Sequence, residues 1–229
     1  MTRNSTIVGS AAAFAALFAA QSALAGSHSW RINELFSTPD GSIQFIEMWE
    51  AFGEDMEIFL PNHHITSEAT GADFNFPEII DPPTTNKHLL LATQSFADLP
   101  GAPVPDYIIP PNFFDPSGDT LHYHVYDEWT FGKGEVPTNC VDSLHRNFRR
   151  TPSIGPNSPT NYLFESGEVA ACPADLSGDG LVTGIDLALL LGQWGACPTT
   201  GAPDSCSADL DGNGLVNGID LAILLGAWS

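Results

Sequence analysis

Basic residues are what this sequence has least of: seven Lys and Arg stand against 28 Asp and Glu in 229 residues, a formal net charge of −21. A surface that negative repels phosphate backbones and anionic headgroups, which argues against nucleic-acid or membrane-surface binding. Long apolar runs are missing after residue 25, so no later segment approaches membrane-spanning length. Signatures of catalysis are missing too: there is no His-Glu-x-x-His, no Gly-x-Ser-x-Gly and no phosphate-cradling glycine loop. Cysteine is confined to Cys140, Cys172, Cys197 and Cys206, and four cysteines allow three pairings. What is plentiful is apolar bulk. It makes up 43% of the chain against 15% charged residues, with 14 Phe and 5 Trp, which suits a buried core and not a disordered polyanion.

The first residues read as an address. Thr2 and Arg3 open a short polar stretch, Ile7 to Ala20 form an Ala-rich apolar run, and Ala23-Leu24-Ala25 supplies small residues at cleavage spacing. Fourteen residues at about 1.5 Å rise reach about 21 Å, short of a hydrocarbon core of about 30 Å. Residues 1–25 are therefore expected to be a cleaved secretory signal. The mature chain would begin near Gly26, lie outside the cell or on its surface, and be permitted disulfides.

The last sixty residues repeat themselves. Cys172 to Trp194 recurs as Cys206 to Trp228 at an offset of 34, with Ala-Asp-Leu at 174–176 and 208–210 and Gly-Ile-Asp-Leu-Ala at 184–188 and 218–222. Two copies are too few for a solenoid, so they are expected to bury their apolar faces against each other. Each copy places polar residues at positions 1, 3, 5, 9 and 12 of a loop. In the first these are Asp175, Ser177, Asp179, Thr183 and Asp186, with the Leu181 carbonyl; in the second, Asp209, Asp211, Asn213, Asn217 and Asp220, with the Leu215 carbonyl. Calcium takes six to eight hard oxygens at about 2.3–2.6 Å, so a short loop must fold alternate side chains around one point. Gly180 and Gly214 permit the sharp turn at position 6. Residues 172–229 carry seven acids and no Lys or Arg. Their mutual repulsion calls for cations, two calcium ions in all, and couples metal binding to folding.

A helix is expected after each loop. Leu187, Leu190, Leu191 and Trp194 in the first copy, and Leu221, Leu224, Leu225 and Trp228 in the second, recur at helical spacing and predict one apolar face each. The duplicated loop and helix, with Asp at position 12 and no helix entering the loop, resembles a type I dockerin module over about 172–229. The resemblance implies docking onto cohesin-like extracellular partners, with loop positions 10 and 11, here Gly184-Ile185 and Gly218-Ile219, choosing the partner in either of two orientations. The basic residues often present on that family's helices are absent, with Leu191-Gly192 and Leu225-Gly226 nearby instead.

From Ser29 to about Val169 the texture changes to short alternating runs cut by Pro, Gly, Asn and Asp, the pattern of an all-β sandwich. Expected strands are Trp30 to Leu35, Ser42 to Trp49, Met56 to Leu60, Ala72 to Phe76, His88 to Thr93 and Thr120 to Tyr126. Ile43 and Phe45 point one way and Ile46 and Met48 the other, as in a central strand covered on both faces. Ile32-Asn33-Glu34 with Gln44-Phe45-Ile46-Glu47-Met48-Trp49, then Asn86 to Leu91 and Asn157 to Asn161, resemble lamin-tail domains, which are immunoglobulin-like sandwiches. That resemblance implies binding or surface display without shared catalytic residues. The expected protein is thus mainly β: a signal segment at 1–25, an immunoglobulin-like β-sandwich at 26–170 and a small helical, duplicated calcium-loop domain at 171–229.

Several residues are candidates for chemistry. His63-His64 and the pair His122 and His124 have the chemistry to bind zinc but read as surface histidines, the latter two opposite the apolar face of Leu121, Tyr123 and Val125. A glycoside hydrolase needs two acids flanking a sugar bond, but Glu47, Glu50, Glu54 and Asp55 read as exposed solvating acids. Trp30, Trp49, Trp129 and Tyr126 read as core in preference to a polysaccharide platform. Arg146, Arg149 and Arg150 read as a solvated loop, with an internal ion pair or anion-binding edge as the sharper option. Cys197 and Cys206 bracket the short linker between the loops and are the first expected pair; Cys140 would then tie Cys172 to the sandwich. The reading is a secreted, noncatalytic binding or structural protein. The alternative is a polysaccharide-degrading hydrolase, or a carbohydrate-binding module, carried by a dockerin.

Overall fold

The structure, a computed structural model, describes residues 26–170, 172–178, 181–198 and 206–228. The expected signal segment lies outside them, as do Asp179 and Gly180. The chain runs through β1 (Trp30–Ser37), β2 (Gln44–Glu50), β3 (His64–Ser67), β4 (Asp73–Asn75), β5 (His88–Thr93), the short α1 (Gln94–Ala97), β6 (Tyr107–Ile109), β7 (Asp119–Tyr123), β8 (Asp127–Phe131), β9 (Asp142–Arg146) and β10 (Pro152–Pro156). The tail adds α2 (Gly184–Gly192), β11 (Gly195–Ala196), β12 (Leu215–Val216) and α3 (Gly218–Gly226). The chain is mainly β.

Six strands form one sheet in the order β10-β9-β1-β2-β5-β6, and four form a second, β4-β3-β7-β8. Only β5 and β6 pair in parallel within these two sheets. Residues of both sheets meet in one apolar cluster: Trp30, Ile32, Ile46, Met48, Leu89 and Leu91 from the first, Ile65, Leu121, Tyr123, Trp129 and Phe131 from the second. Phe45 enters a separate cluster with Phe36, Leu90, Ala92 and Phe96. β2 is therefore covered on both faces by the residues its alternation predicted.

A bulge between Ile32 and Glu34 interrupts β1. An extra residue reverses the in–out alternation. Trp30 and Ile32 face the main core, and beyond the bulge so does Leu35, while Phe36 faces the second cluster. Glu34 becomes the cross-strand partner of Glu47, and both are 1% exposed.

One expected strand fails and others lose end residues, Ala72 to Phe76 narrowing to Asp73–Asn75 and Ser42 to Trp49 starting at Gln44. Met56 to Leu60 is not a strand, because its N–H groups go elsewhere: Glu57 N donates to Thr84 Oγ1 at 3.0 Å and Phe59 N to Gly26 O at 2.9 Å. The strand expected to reach Tyr126 stops at Tyr123. His124 adopts φ 48° and Tyr126 N closes a turn on Tyr123 O at 3.0 Å. Val125, expected on the apolar face with Leu121 and Tyr123, lies in the turn and is 81% exposed, and odd-numbered burial resumes only at Asp127, Trp129 and Phe131; the apolar residue types keep the same parity throughout, so the sequence does not reveal the hairpin.

Cysteine pairing is as expected, Cys140–Cys172 and Cys197–Cys206. The tail has its own cluster, in which Ala174, Val182 and Leu190 recur as Ala208, Val216 and Leu224. So small a core needs covalent or metal support.

Candidate metal centre and docking face

Each tail helix begins in the same way. Thr183 and Asn217 are N-caps whose side chains accept from Ile185 N at 3.3 Å and Ile219 N at 2.8 Å. Asp186 and Asp220, three residues on, accept from the N-cap N–H groups at 2.7 Å, completing capping boxes. Both acids also reach back into their loops: Asp186 Oδ1 accepts from Ser177 N at 2.8 Å, and Asp220 Oδ1 from Leu210 N at 2.8 Å and Asp211 N at 3.2 Å. Burial pushes these carboxyls up, but the N–H donors outweigh it and hold both below their ordinary value. The last acid of each loop thus ties loop to helix and is fully buried.

In the second loop the carboxylates of Asp209, Asp211 and Asp220 converge, with an oxygen from each lying within 4.8 Å of the others. Oxygens about 2.4 Å from a common calcium would be at most about 4.8 Å apart, so this donor set has the size and hardness calcium requires. Asn213 N donates to Asp209 Oδ1 and Asp211 Oδ1, both at 3.1 Å, and Gly214 N to Asp209 Oδ2 at 2.8 Å. Gly212 and Gly214 adopt φ 70° and 85°, the left-handed turns that wrap the loop. Asn217 donates through Nδ2 to the Leu215 carbonyl at 3.1 Å. In the first loop Asp175 Oδ1 accepts from Ser177 Oγ at 3.2 Å and from Gly178 N at 2.9 Å; Leu181 and Thr183 come next, and Asp179 lies outside the described residues. Cys197 and Cys206 approach Asp209, but sulfurs joined in a disulfide are not thiolate ligands.

The apolar stripe expected on each helix splits. Leu190 and Leu224 are fully buried and Leu187 and Leu221 pack beside them, whereas Leu191, Trp194, Leu225 and Trp228 are exposed by 52, 50, 51 and 46%. The helices stop at Gly192 and Gly226, so each Trp leaves the helical phase. Ile185 and Ile219, beside Gly184 and Gly218 in the first turns, are exposed by 58 and 55%. The tail therefore presents two related apolar faces. Gly192 and Gly226 are the signal in sequence that the stripes would break.

The candidate residues of the β-rich part are dispersed. His63 bonds Ser27 Oγ at 3.0 Å, His64 binds Asp73 at 2.7 Å, and His122 lies between Glu68 and Glu128. His124 sits past the strand end, so it shares no strand face with His122. Trp30 and Trp129 are core, whereas Trp49 and Tyr126 are half-buried. The expectation that Glu47 and Glu50 are exposed is overturned, because both are buried, while Glu54 and Asp55 are exposed. Glu47 accepts from Asn33, His88 and Thr160, and Glu34 from Ser143 and both N–H and O–H of Ser158. Burial and then the neighbouring Glu47 raise the Glu34 carboxyl. These acids clamp the 157–161 loop onto the sheet. Glu50 likewise accepts from Phe52 N, Gly53 N and Asn86 N. Arg146 is no loop residue: it is 5% exposed and bonds the Ile32 carbonyl and Asp127.

Residues 173–226 match the family model of the dockerin type I domain. Dockerin domains of this type bind calcium and bind cohesins, and the proteins that carry them are typically extracellular or at the cell surface. Comparison with curated proteins and with solved structures gave no match. Among the described residues no helix is long and apolar enough to cross a membrane.

Proposed function

We infer that the chain is a secreted, noncatalytic binding or structural protein whose tail loads two calcium ions and attaches a β-sandwich to an extracellular or cell-surface assembly. The observation that carries this is the convergence of Asp209, Asp211 and Asp220 in a segment that matches the dockerin type I domain. Asp175, Ser177, Asp179, Leu181, Thr183 and Asp186 would supply one site, and Asp209, Asp211, Asn213, Leu215, Asn217 and Asp220 the other. Bound calcium would neutralise the loop carboxylates and fix the helices at the angle that displays Ile185 and Ile219. Gly184 and Gly218 beside them leave room for a partner's backbone, and the twofold likeness of the two faces supports docking in either orientation.

The sheets and the clamped 157–161 loop support reading 26–170 as a lamin-tail-like, immunoglobulin-like sandwich, and 171–229 as the docking domain. Saturation of Glu34 and Glu47 by donors favours a structural role over general acid–base work. Immobilised cohesin should retain the purified chain in calcium and release it in chelator, with calorimetry reporting two ions bound per chain. Retention that ignores chelator, or a chain that takes up no calcium, would refute the attachment role.

A further inference from the structure

The chain has seven Lys and Arg in all, yet three of them line one cleft. Arg31 from β1, Arg146 from β9 and Arg150 from the β9–β10 turn border a cavity of about 120 Å³ together with Trp49, Phe52 and Phe148. The charge facing them is Asp127 on β8. Its Oδ2 takes Ile32 N and Arg146, and its Oδ1 lies 3.1 Å from Arg150 Nη2 without hydrogen-bond geometry. Three guanidiniums face Asp127, with Glu57 a second acid acting on Arg31, which leaves a small local positive excess on a strongly negative molecule. Arg146 is consumed by Ile32, Glu128 and Asp127, and Arg31 donates to two backbone carbonyls. Arg150 is different: its side chain is 56% exposed, and it makes no side-chain hydrogen bond among the described residues. Its backbone is held at φ 61° in a turn closed by Arg150 N on Asn147 O at 2.8 Å, a conformation a non-glycine residue adopts at a cost.

The rim is apolar and rigid. Phe52 and Phe148, 53 and 58% exposed, meet edge to face at 5.6 Å, and Phe148 meets Trp49 at 6.5 Å. Phe52 rides on the turn capped by buried Glu50, and Phe148 on the turn that Asn147 Oδ1 holds through the N–H groups of Arg149 and Thr151. Anchored, exposed rings beside an exposed guanidinium are organised before any ligand arrives, which lowers the ordering cost of binding.

We propose that this cleft binds a glycan of mainly neutral sugars bearing a single carboxylated ring. The cavity is far below the roughly 300 Å³ of a drug-sized site and suits one ring. A uronic ring joins a C–H face, which packs on phenyl rings, to a carboxylate that an Arg fork accepts in two parallel hydrogen bonds. A polyanion is disfavoured, because the rest of the surface repels it. The site stands apart from the tail and does not depend on the reading of it.

The test titrates the purified chain, in calcium, with xylotriose carrying one glucuronic acid and with unsubstituted xylotriose, by calorimetry and by nuclear magnetic resonance. Saturable binding of the acidic sugar, weakened by salt and at least about tenfold tighter than any binding of the neutral one, is expected. Phe148→Ala should lose about tenfold with an unchanged thermal midpoint; Arg150→Gln should lose about tenfold and also lower the midpoint, because it strands buried Asp127, and Arg150→Lys, which keeps the charge, should recover part of both. Equal affinity for both sugars, binding of neither, indifference to both substitutions, or preference of the cleft for an acidic peptide would overturn the proposal.

Discussion

At the scale of single residues the β-rich part is organised by buried carboxylates that hold loops by their N–H groups. Asp106 accepts from Leu90 N at 2.8 Å and from Tyr162 N at 3.0 Å, yet burial raises it to about 6. The unfolded value is about 3.9, so between roughly pH 4 and 6 the folded chain binds more protons than the unfolded one. Its contribution to stability is then present below about pH 4, is lost as pH rises toward 6, and changes no further above that. Asp106→Asn should remove that slope, a difference of at most about 3 kcal/mol between the two chains' pH profiles in urea unfolding. Glu34 gives a second expectation. Glu34→Ala strands the donors of Ser143 and Ser158 and should cost about 3 kcal/mol, while Glu34→Gln keeps an acceptor, removes repulsion from Glu47 and should stay within about 1 kcal/mol. Calorimetric midpoints would separate the two. The Glu types are legible in sequence, but their burial is not, because the bulge at Ile32/Glu34 that moves Glu34 off the face of Trp30 and Ile32 to meet Glu47 leaves no mark in residue type.

At the scale of elements, regularity governs what can be read from the sequence. β5 is legible to the residue because its apolar residues are continuous, and β2 nearly so because its apolar residues fall on both of its faces. β6, three residues long, gains its place by parallel pairing with β5, and nothing local in Tyr107-Ile108-Ile109 announces a partner. The tail helices are legible from spacing, but which leucines they bury depends on each other's position. Leu190→Ala and Leu224→Ala should each cost about 3 kcal/mol by the cavity they open. Leu191→Ala and Leu225→Ala, at exposed positions, should change stability by less than about 0.5 kcal/mol. Thermal unfolding in calcium measures both pairs; equal losses would refute the assignment of one buried face, and losses in the opposite order would show the faces to be reversed.

At the scale of the whole molecule, two disulfides and a strong excess of acid set the terms. Cys197–Cys206 closes a separation of nine and Cys140–Cys172 one of 32, and loop closure predicts about 3 and 4 kcal/mol for them. Replacing Cys197 and Cys206 by serine should weaken the tail selectively, since that bridge lies in the tail's own cluster beside Leu210 and Leu221. Hydrogen exchange should then rise in α2 and α3 while the sheet strands stay protected. The sequence alone determined the repeat, the spacing of oxygen-bearing residues in it, the helices that follow and the alternation of the central strand, because spacing along the chain carries each of them. Only tertiary structure decided that Glu34 and Glu47 meet in the interior and that Arg31, Arg146 and Arg150 converge. The first pair is close in sequence but meets only through strand register and one bulge, whereas the arginines join β1 to residues more than a hundred positions away, neighbours chosen by sheet order.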